Sequence, residues 1–223
     1  MAKDLAIILN NGSVNSAVAT ALAVQKHRPI LLHAEVAHQP GSRRRAAYDL
    51  QLQHFKPYRE HALPMPFLAL APPGANNAAT MLTAADPRAG TAQNSTQVMA
   101  LVPLIAAAAR YAVHYNATAI YVGLRVGPQG DELARATEYL QIWNELLQMP
   151  CGQPDLDVVA PLLELEPWQV VDVGYQVNAP LDRTWSCAED ANEPCWSCRG
   201  CRAREAAFVQ SGKPDPLRAV RKV

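Results

Sequence analysis

Four of the five cysteines lie in one short stretch, TWSCAEDANEPCWSCRGCRARE, at the spacing Cys187-x7-Cys195-x2-Cys198-x2-Cys201. Four thiolates match the tetrahedral preference of zinc, and gaps of two residues let neighbouring sulfurs reach one ion at about 2.3 Å. With every position filled by protein, such a centre has no open site for water, so its expected role is structural, with one zinc per chain. Arg199, Arg202 and Arg204 flank the cluster and are expected to offset the double negative charge of a four-thiolate zinc site. The segment is polar, and bound metal would contribute the folding free energy that apolar burial does not. An iron–sulfur centre is the alternative, because sites of four cysteine thiolates also hold those clusters. The spacing, however, fits neither the bacterial nor the plant ferredoxin run. Cys151, far from the others, is expected to pack without a chemical role.

The second candidate is the stretch LAIILNNGSVNSAVATALA near the start of the chain. Asn11-Gly12-Ser13-Val14-Asn15-Ser16 sits where an apolar run ends and a helical pattern begins. Small residues there let backbone N–H groups curl around a phosphate, and the helix N-terminus adds partial positive charge. The competing interpretation is a plain strand-to-helix turn, with Asn11-Gly12 taking the bend and Ser13 capping the helix. Further on, GLRVGPQGDEL places Arg125, Asp131 and Glu132 near a glycine-rich bend. These are candidates for substrate contact, or else an exposed loop and a helix start whose acids favour the dipole. His33, His54, His61 and His114 have no ligand spacing.

Elements that could position these groups alternate regularly. Strand-like runs at Leu5–Leu9, 29–36, 67–70, 119–124 and 157–160 are separated by helical patterns at Val14–Lys26, 43–61, 96–115, 132–148 and Pro167–Gln176. That alternation predicts an α/β fold, a parallel sheet flanked by helices on both faces. Ligands of such sheets bind beyond the carboxyl ends of the strands, so the loops after Leu9, Val36, Leu70 and Leu124 form the expected functional rim. Residues 71–95 have loop composition over a length that suits either an active-site flap or a plain connection. After Asn178 the alternation stops. Residues 1–178 are therefore expected to be the α/β domain, and 179–223 an appendage packed on it as part of one structural unit.

Charge narrows the partners. The 223 residues carry 20 basic and 20 acidic side chains, a formal net charge of zero, with none of the basic excess that nucleic-acid binding favours. The basic runs at 43–45 and 218–222 are expected to be solvated helix faces. The apolar run at the start is far shorter than the ~20 residues of a membrane span and lacks signal-peptide character. A cytoplasmic protein is expected, binding neither nucleic acid nor membrane. A reducing compartment favours metal over disulfides for clustered cysteines.

The C-terminal stretch PLLELEPWQVVDVGYQVNAPLDRTWSCAEDANEPCWSCRGCRAREAAFVQSGKPDP resembles that of the 7-cyano-7-deazaguanine synthases of the queuosine pathway. It carries their Thr-x-Ser-Cys turn (Thr184, Ser186, Cys187), the Cys195, Cys198, Cys201 knot, an Arg-Ala-rich helix over 202–210 and a closing Asp215-Pro216. The resemblance implies an adenine nucleotide α-hydrolase-like (PP-loop) fold, ATP with magnesium, and a homodimer. It implies a reaction in which 7-carboxy-7-deazaguanine is activated by ATP, takes up ammonia and is dehydrated to the nitrile. On the family's Ser-Gly-Gly-x-Asp-Ser loop, Gly12 and Ser16 match, while Asn11, Ser13 and Asn15 depart. Ser13 brings a Cβ to the phosphate side, and Asn15 cannot supply negative charge near magnesium. Two further motifs are altered. His38 and Gln39 stand without the Tyr-Gly that precedes Gln in the family, and Asn94, Ser95 and Gln97 stand without the family's arginine. The expectation is thus a synthase-like protein, with Asn11, Gly12, Ser13, Asn15 and Ser16 around phosphate and Gln39, Arg125 and Asp131 around substrate. Its counterpart is a catalytically silent homologue that keeps the zinc knot and acts as a nucleotide- or purine-like-ligand-binding or assembly module.

Overall fold

The computed structural model describes residues 3–35, 42–69 and 92–219. Five strands, β1 Leu5–Leu9, β2 Arg28–Glu35, β3 Arg59–Pro64, β4 Ala119–Tyr121 and β5 Asp157–Val159, form one sheet in the order β3-β2-β1-β4-β5. Every pairing is parallel, with Ile7 opposite Ile30 on one side and Ile120 on the other. The connecting helices are α1 Val14–Lys26, α2 Arg43–Phe55, α3 Ala92–Tyr115, α4 Asp131–Gln148 and α5 Pro167–Gln176, followed by α6 Arg199–Ser211 and the short α7 Pro216–Ala219.

Side chains alternate along the central strands, so each strand feeds two cores. Ile7, Ile30, Leu32, Ile120 and Val158 meet Ile105, Ala108 and Ala112 of α3 and Ala136 and Leu147 of α4. Ala6, Ile8, Leu31, Ala119 and Tyr121 point the other way, toward Ala23 of α1 and Tyr48 of α2. Both faces of the sheet are covered, which is why β1 and β2 read as nearly continuous apolar runs. The expected doubly covered parallel sheet is the observed one.

One expected helix is divided. The pattern suggested a helix through 43–61, but α2 stops at Phe55. Lys56 adopts a left-handed conformation (φ 46) and donates its N–H to Leu52 O, and Pro57 cannot continue the ladder. Arg59–Pro64 then pairs along β2 as the edge strand, polar because one side of it has no neighbour in the sheet. The strand expected at 67–70 is instead a 3₁₀ turn, Pro66–Ala69. Elsewhere the bounds shift by a few residues, and α5 begins and ends where the sequence placed it. Its start is a capping box in which Glu166 N–H donates to Gln169 Oε1 at 2.7 Å, with Pro167 in the first turn.

The C-terminal helix α6 lies against α5, and its Ala207 and Phe208 join Val18, Ala19, Leu162, Val170, Val171 and Leu181 in a third core. From the same helix Arg204, 5% exposed, makes a bidentate ion pair with Asp215, Nε to Oδ2 at 2.7 Å and a terminal nitrogen to Oδ1 at 2.8 Å. The same guanidinium donates to Thr184 Oγ1 at 2.7 Å and Leu181 O at 3.1 Å. Among the described residues no helix is long and apolar enough to cross a membrane.

Candidate functional site

The four expected cysteines converge. The Sγ atoms of Cys187, Cys195, Cys198 and Cys201 all lie within 4.8 Å of one another, with Cys187 and Cys195 sulfurs 3.5 Å apart and Cys187 and Cys198 sulfurs 3.9 Å apart. Sulfurs at the corners of a zinc tetrahedron with bonds near 2.3 Å stand about 3.8 Å apart, so the set fits one metal ion. Backbone N–H groups surround the sulfurs. Glu189 and Cys195 donate to Cys187 at 3.4 Å each, Cys198 to Cys195 at 3.3 Å, and Ala188 and Cys201 to Cys198 at 3.5 Å each. Donors aimed at sulfur favour thiolate over thiol. The Ser197 side chain and backbone bring the Cys195 thiol down to about 6, while burial pushes Cys187 and Cys201 up in the absence of a cation.

Local sequence builds this knot. Trp196 takes a left-handed turn (φ 56), Cys198 caps α6 by accepting from Cys201 N–H, and α6 begins at Arg199. Gly200 faces Ser186 O so closely that any Cβ would collide with that carbonyl. Below the sulfurs, Trp185 (8% exposed) packs with Cys187, Cys201 and Ala47 of α2.

The cation expected from α6 comes partly from elsewhere. Arg204 is committed to Asp215, whereas Arg44 of α2 feels the charge of Cys187 and Cys198, which opposes the downward push that burial gives its guanidinium. Its neighbour Arg43 donates to Asp190 Oδ1, Ala191 O and Asn192 Oδ1 in the knot. Arg45 pairs with Glu35 at 2.5 Å and Asp49 at 2.9 Å. The run at 43–45 is therefore not a solvated face. It had no signature in the sequence, because only the fold brings α2 against a segment about 150 residues away. The second basic run is likewise engaged at Arg218, which pairs with Glu205 at 2.7 Å and lies 4.5 Å over the Trp196 ring. Cys151, expected to pack, is exposed.

The stretch 11–16 joins β1 to α1 at the carboxyl edge of the sheet. Because β1 lies between β2 and β4, this is where the chain changes direction across the sheet, the usual ligand crevice of the fold. Gly12 has φ 76, and a Cβ on it would lie 2.5 Å from Arg44 O, 3.1 Å from Tyr48 N and 3.2 Å from Ala47 Cβ. Ser13 caps α1, its Oγ accepting from Ser16 N–H at 3.2 Å. Asn11 Oδ1 accepts from Ser13 N–H at 3.2 Å, and Asn10 Oδ1 accepts from Gly12 N–H at 2.9 Å and Ser16 Oγ at 3.2 Å. Asn15 Nδ2 lies 3.5 Å from Gly123 O on the loop after β4. Three N–H groups that could face a phosphate are thus already bonded to side chains of the loop and of Asn10 just before it.

Sequence reading overlooked the residues beneath this loop. Asn10, 2% exposed, donates from Nδ2 to Gln51 Oε1 at 2.9 Å and Thr20 Oγ1 at 3.1 Å. His33 donates from Nδ1 to Asn10 O at 2.9 Å and stacks on Tyr48 with ring centroids 4.5 Å apart. Burial pushes the His33 imidazole down, so the neutral ring with its proton on Nδ1 is the favoured form. A polar side chain before the turn was legible at Asn10, but nothing nearby in sequence pointed to Gln51 or His33.

Of the other expected contacts, Arg125 is half-buried and donates to Leu165 O at 3.3 Å. Burial pushes its guanidinium down, and the Glu166 carboxylate opposes that shift. Asp131 and Glu132 open α4 in its first turn, Asp131 being exposed. Gln39 and His38 lie outside the described residues, as does most of 71–95, and the side chains of Asn94, Ser95 and Gln97 are likewise not described.

Residues 5–212 match the family described as Queuosine biosynthesis protein QueC. The chain belongs to that family. Its similarity to a 7-cyano-7-deazaguanine synthase of Koribacter versatilis (strain Ellin345) is 26% identity over 220 residues, covering 95% of this chain and 92% of that protein. Similarity to the synthase of Methanothrix thermoacetophila reaches 33% over 115 residues, 51% of this chain and 51% of the relative, so that alignment spans about half the relative's length. Among solved structures, a 4-thiouridine synthetase–RNA complex with bound ATP is similar over 97% of this chain and 52% of its own length, with TM-score 0.50 and 14% identity. That likeness is one of fold alone, and it agrees with the PP-loop class of parallel sheet.

Proposed function

We propose that this chain is a zinc-centred, 7-cyano-7-deazaguanine synthase-like protein whose phosphate loop is closed on itself, so that it handles ATP weakly and retains the cleft for a nucleotide or purine-like ligand. The observation that carries this reading is the bonding of the loop. Gly12, Ser13 and Ser16 N–H groups are already taken by Asn10 Oδ1, Asn11 Oδ1 and Ser13 Oγ. An anion entering the turn must displace those acceptors, and each exchanged hydrogen bond returns little net free energy. Asn15 offers an amide where a carboxylate would help hold magnesium. Zinc is the metal favoured by four cysteine ligands at these separations, in a structural role and one per chain. Residues 179–223 carry that centre as an appendage of the α/β domain 1–178, and the protein acts as a homodimer.

The second reading is the family reaction itself. The family match over 5–212 favours it. ATP would activate the carboxylate of 7-carboxy-7-deazaguanine, with Asn11, Gly12, Ser13, Asn15 and Ser16 around the phosphates and Gln39, Arg125 and Asp131 near the substrate. Calorimetry with ATP and magnesium, together with a pyrophosphate-release assay on the metal-loaded protein, separates the two. Weak binding and no pyrophosphate are expected of the natural chain, and tighter binding of the combined Asn11→Ser, Ser13→Gly, Asn15→Asp variant. Tight magnesium-dependent binding with rapid pyrophosphate release by the natural chain would overturn the first reading and leave the second.

A further inference from the structure

Gln51 is fully buried in α2, yet both ends of its amide are used, in opposite directions. Oε1 accepts from Asn10 Nδ2 at 2.9 Å, and Nε2 donates to Arg183 O at 2.9 Å. Asn10 in turn fixes the loop through Gly12 N–H and Ser16 Oγ. Two residues beyond Arg183, Trp185 N–H donates to Gly12 O at 2.9 Å, and the Trp185 side chain packs on Cys187 and Cys201. The loop and the cysteine knot are therefore tied twice, once through the Gln51 amide of α2 and once directly through main chain. The contact is close, since the α2 main chain at Arg44 and Tyr48 sits directly on the Gly12 Cα.

We propose that the metal centre sets the conformation of the phosphate loop, and that Gln51 is the positioning residue that transmits it. The proposal deepens the role assigned above to the same site and rests on the cysteines holding a metal. It does not require that ATP bind. With metal present, Cys187 and Cys201 fix Trp185, Trp185 holds Gly12 O, and Gln51 holds Asn10 against Arg183 O. Without metal, the turn at 183–187 loosens and the loop loses both anchors. Coupling of this kind is reciprocal, so loosening the loop side must also loosen the metal.

Amide hydrogen exchange on the zinc-loaded protein tests this, combined with zinc affinity from equilibrium competition against a chromogenic chelator. Gln51→Met keeps the side-chain volume and removes both bonds, while Gln51→Leu removes both with a slightly smaller, branched side chain. Both variants are expected to speed exchange at Gly12 and Trp185 by about tenfold or more, the loss of a buried hydrogen bond. Zinc affinity should fall with them, while amides of α3 and β4 keep their protection. Stripping zinc from the natural chain should speed Gly12 exchange in the same way, a readout that no failure of variants to fold can confuse. Unchanged Gly12 exchange after stripping would overturn the proposal. So would an unaltered zinc affinity in variants whose loop exchanges faster, because the reciprocity would then be absent. A uniform acceleration across all elements on stripping would also overturn it, since metal would then hold the whole fold rather than the loop. Because no arm uses nucleotide, tight ATP binding would bear on the preceding reading and leave this one intact.

Discussion

Replacing Gly12 with alanine distinguishes a glycine kept for phosphate approach from one kept for packing. At φ 76 the backbone is in the left-handed region, where a Cβ costs about 1–2 kcal/mol. The new carbon would stand 2.5 Å from Arg44 O and 3.1 Å from Tyr48 N, both main-chain atoms that cannot rotate out of its way. Displacing α2 to relieve that overlap costs about 1–3 kcal/mol, the usual range for overpacking. Together these give about 2–5 kcal/mol of destabilisation. In a chain of this size each kcal/mol lowers Tm by about 2–4 °C, so a fall of roughly 4–20 °C is expected. Thermal unfolding of the metal-loaded protein, followed by circular dichroism, measures it. Ser13→Gly in the same turn is the control, because exchanging a serine cap for glycine costs only about a few tenths of a kcal/mol. A Gly12→Ala protein that melts with the natural chain would refute the close seating of α2 on the loop, and with it the packing role of this glycine.

Metal analysis should find about one zinc per chain, a single four-thiolate site, and Cys198→Ser should release it and make 187–204 sensitive to protease. Iron with visible charge-transfer absorption would refute the zinc assignment. Arg204→Met strands Asp215 as a buried, unpaired carboxylate and should cost about 3–5 kcal/mol by denaturant unfolding. The double variant with Asp215→Leu should recover much of that loss, because both charges are then gone. Burial lowers the His33 pKa below its ordinary 6.5, so the unfolded chain binds a proton that the folded chain refuses. Its contribution to stability is complete above pH 6.5 and is lost as pH falls from there through the folded value. His33→Asn, which keeps a donor toward Asn10 O, should flatten part of the pH dependence measured by denaturant unfolding; His27, His54 and His61 shift the same way and contribute alongside it.

The sequence by itself determined the parts whose physics is local. Cysteine spacing predicted four sulfurs converging on one point, because gaps of two residues can reach a common ion whatever surrounds them. Apolar runs alternating with helical patterns predicted a parallel sheet covered on both faces. Pro167 marked the start of α5, because its fixed φ suits the first helical position. The turn at 11–16 was legible as a loop between strand and helix, and Ser13 as its cap. The edge strand Arg59–Pro64 was hidden because an edge can be polar, and its pairing with β2 is visible only once the sheet exists. What only the tertiary structure decided is what meets across α2. Arg44 faces thiolates more than 140 residues away in sequence, Gln51 joins Asn10 to Arg183, and Trp185 reaches Gly12. None of these residues has a periodic or spaced neighbour that would announce it. Their partners are chosen by the order of strands and by which helix lies over which loop, so the link between the cysteine knot and the phosphate loop belongs to the fold rather than to any stretch of chain.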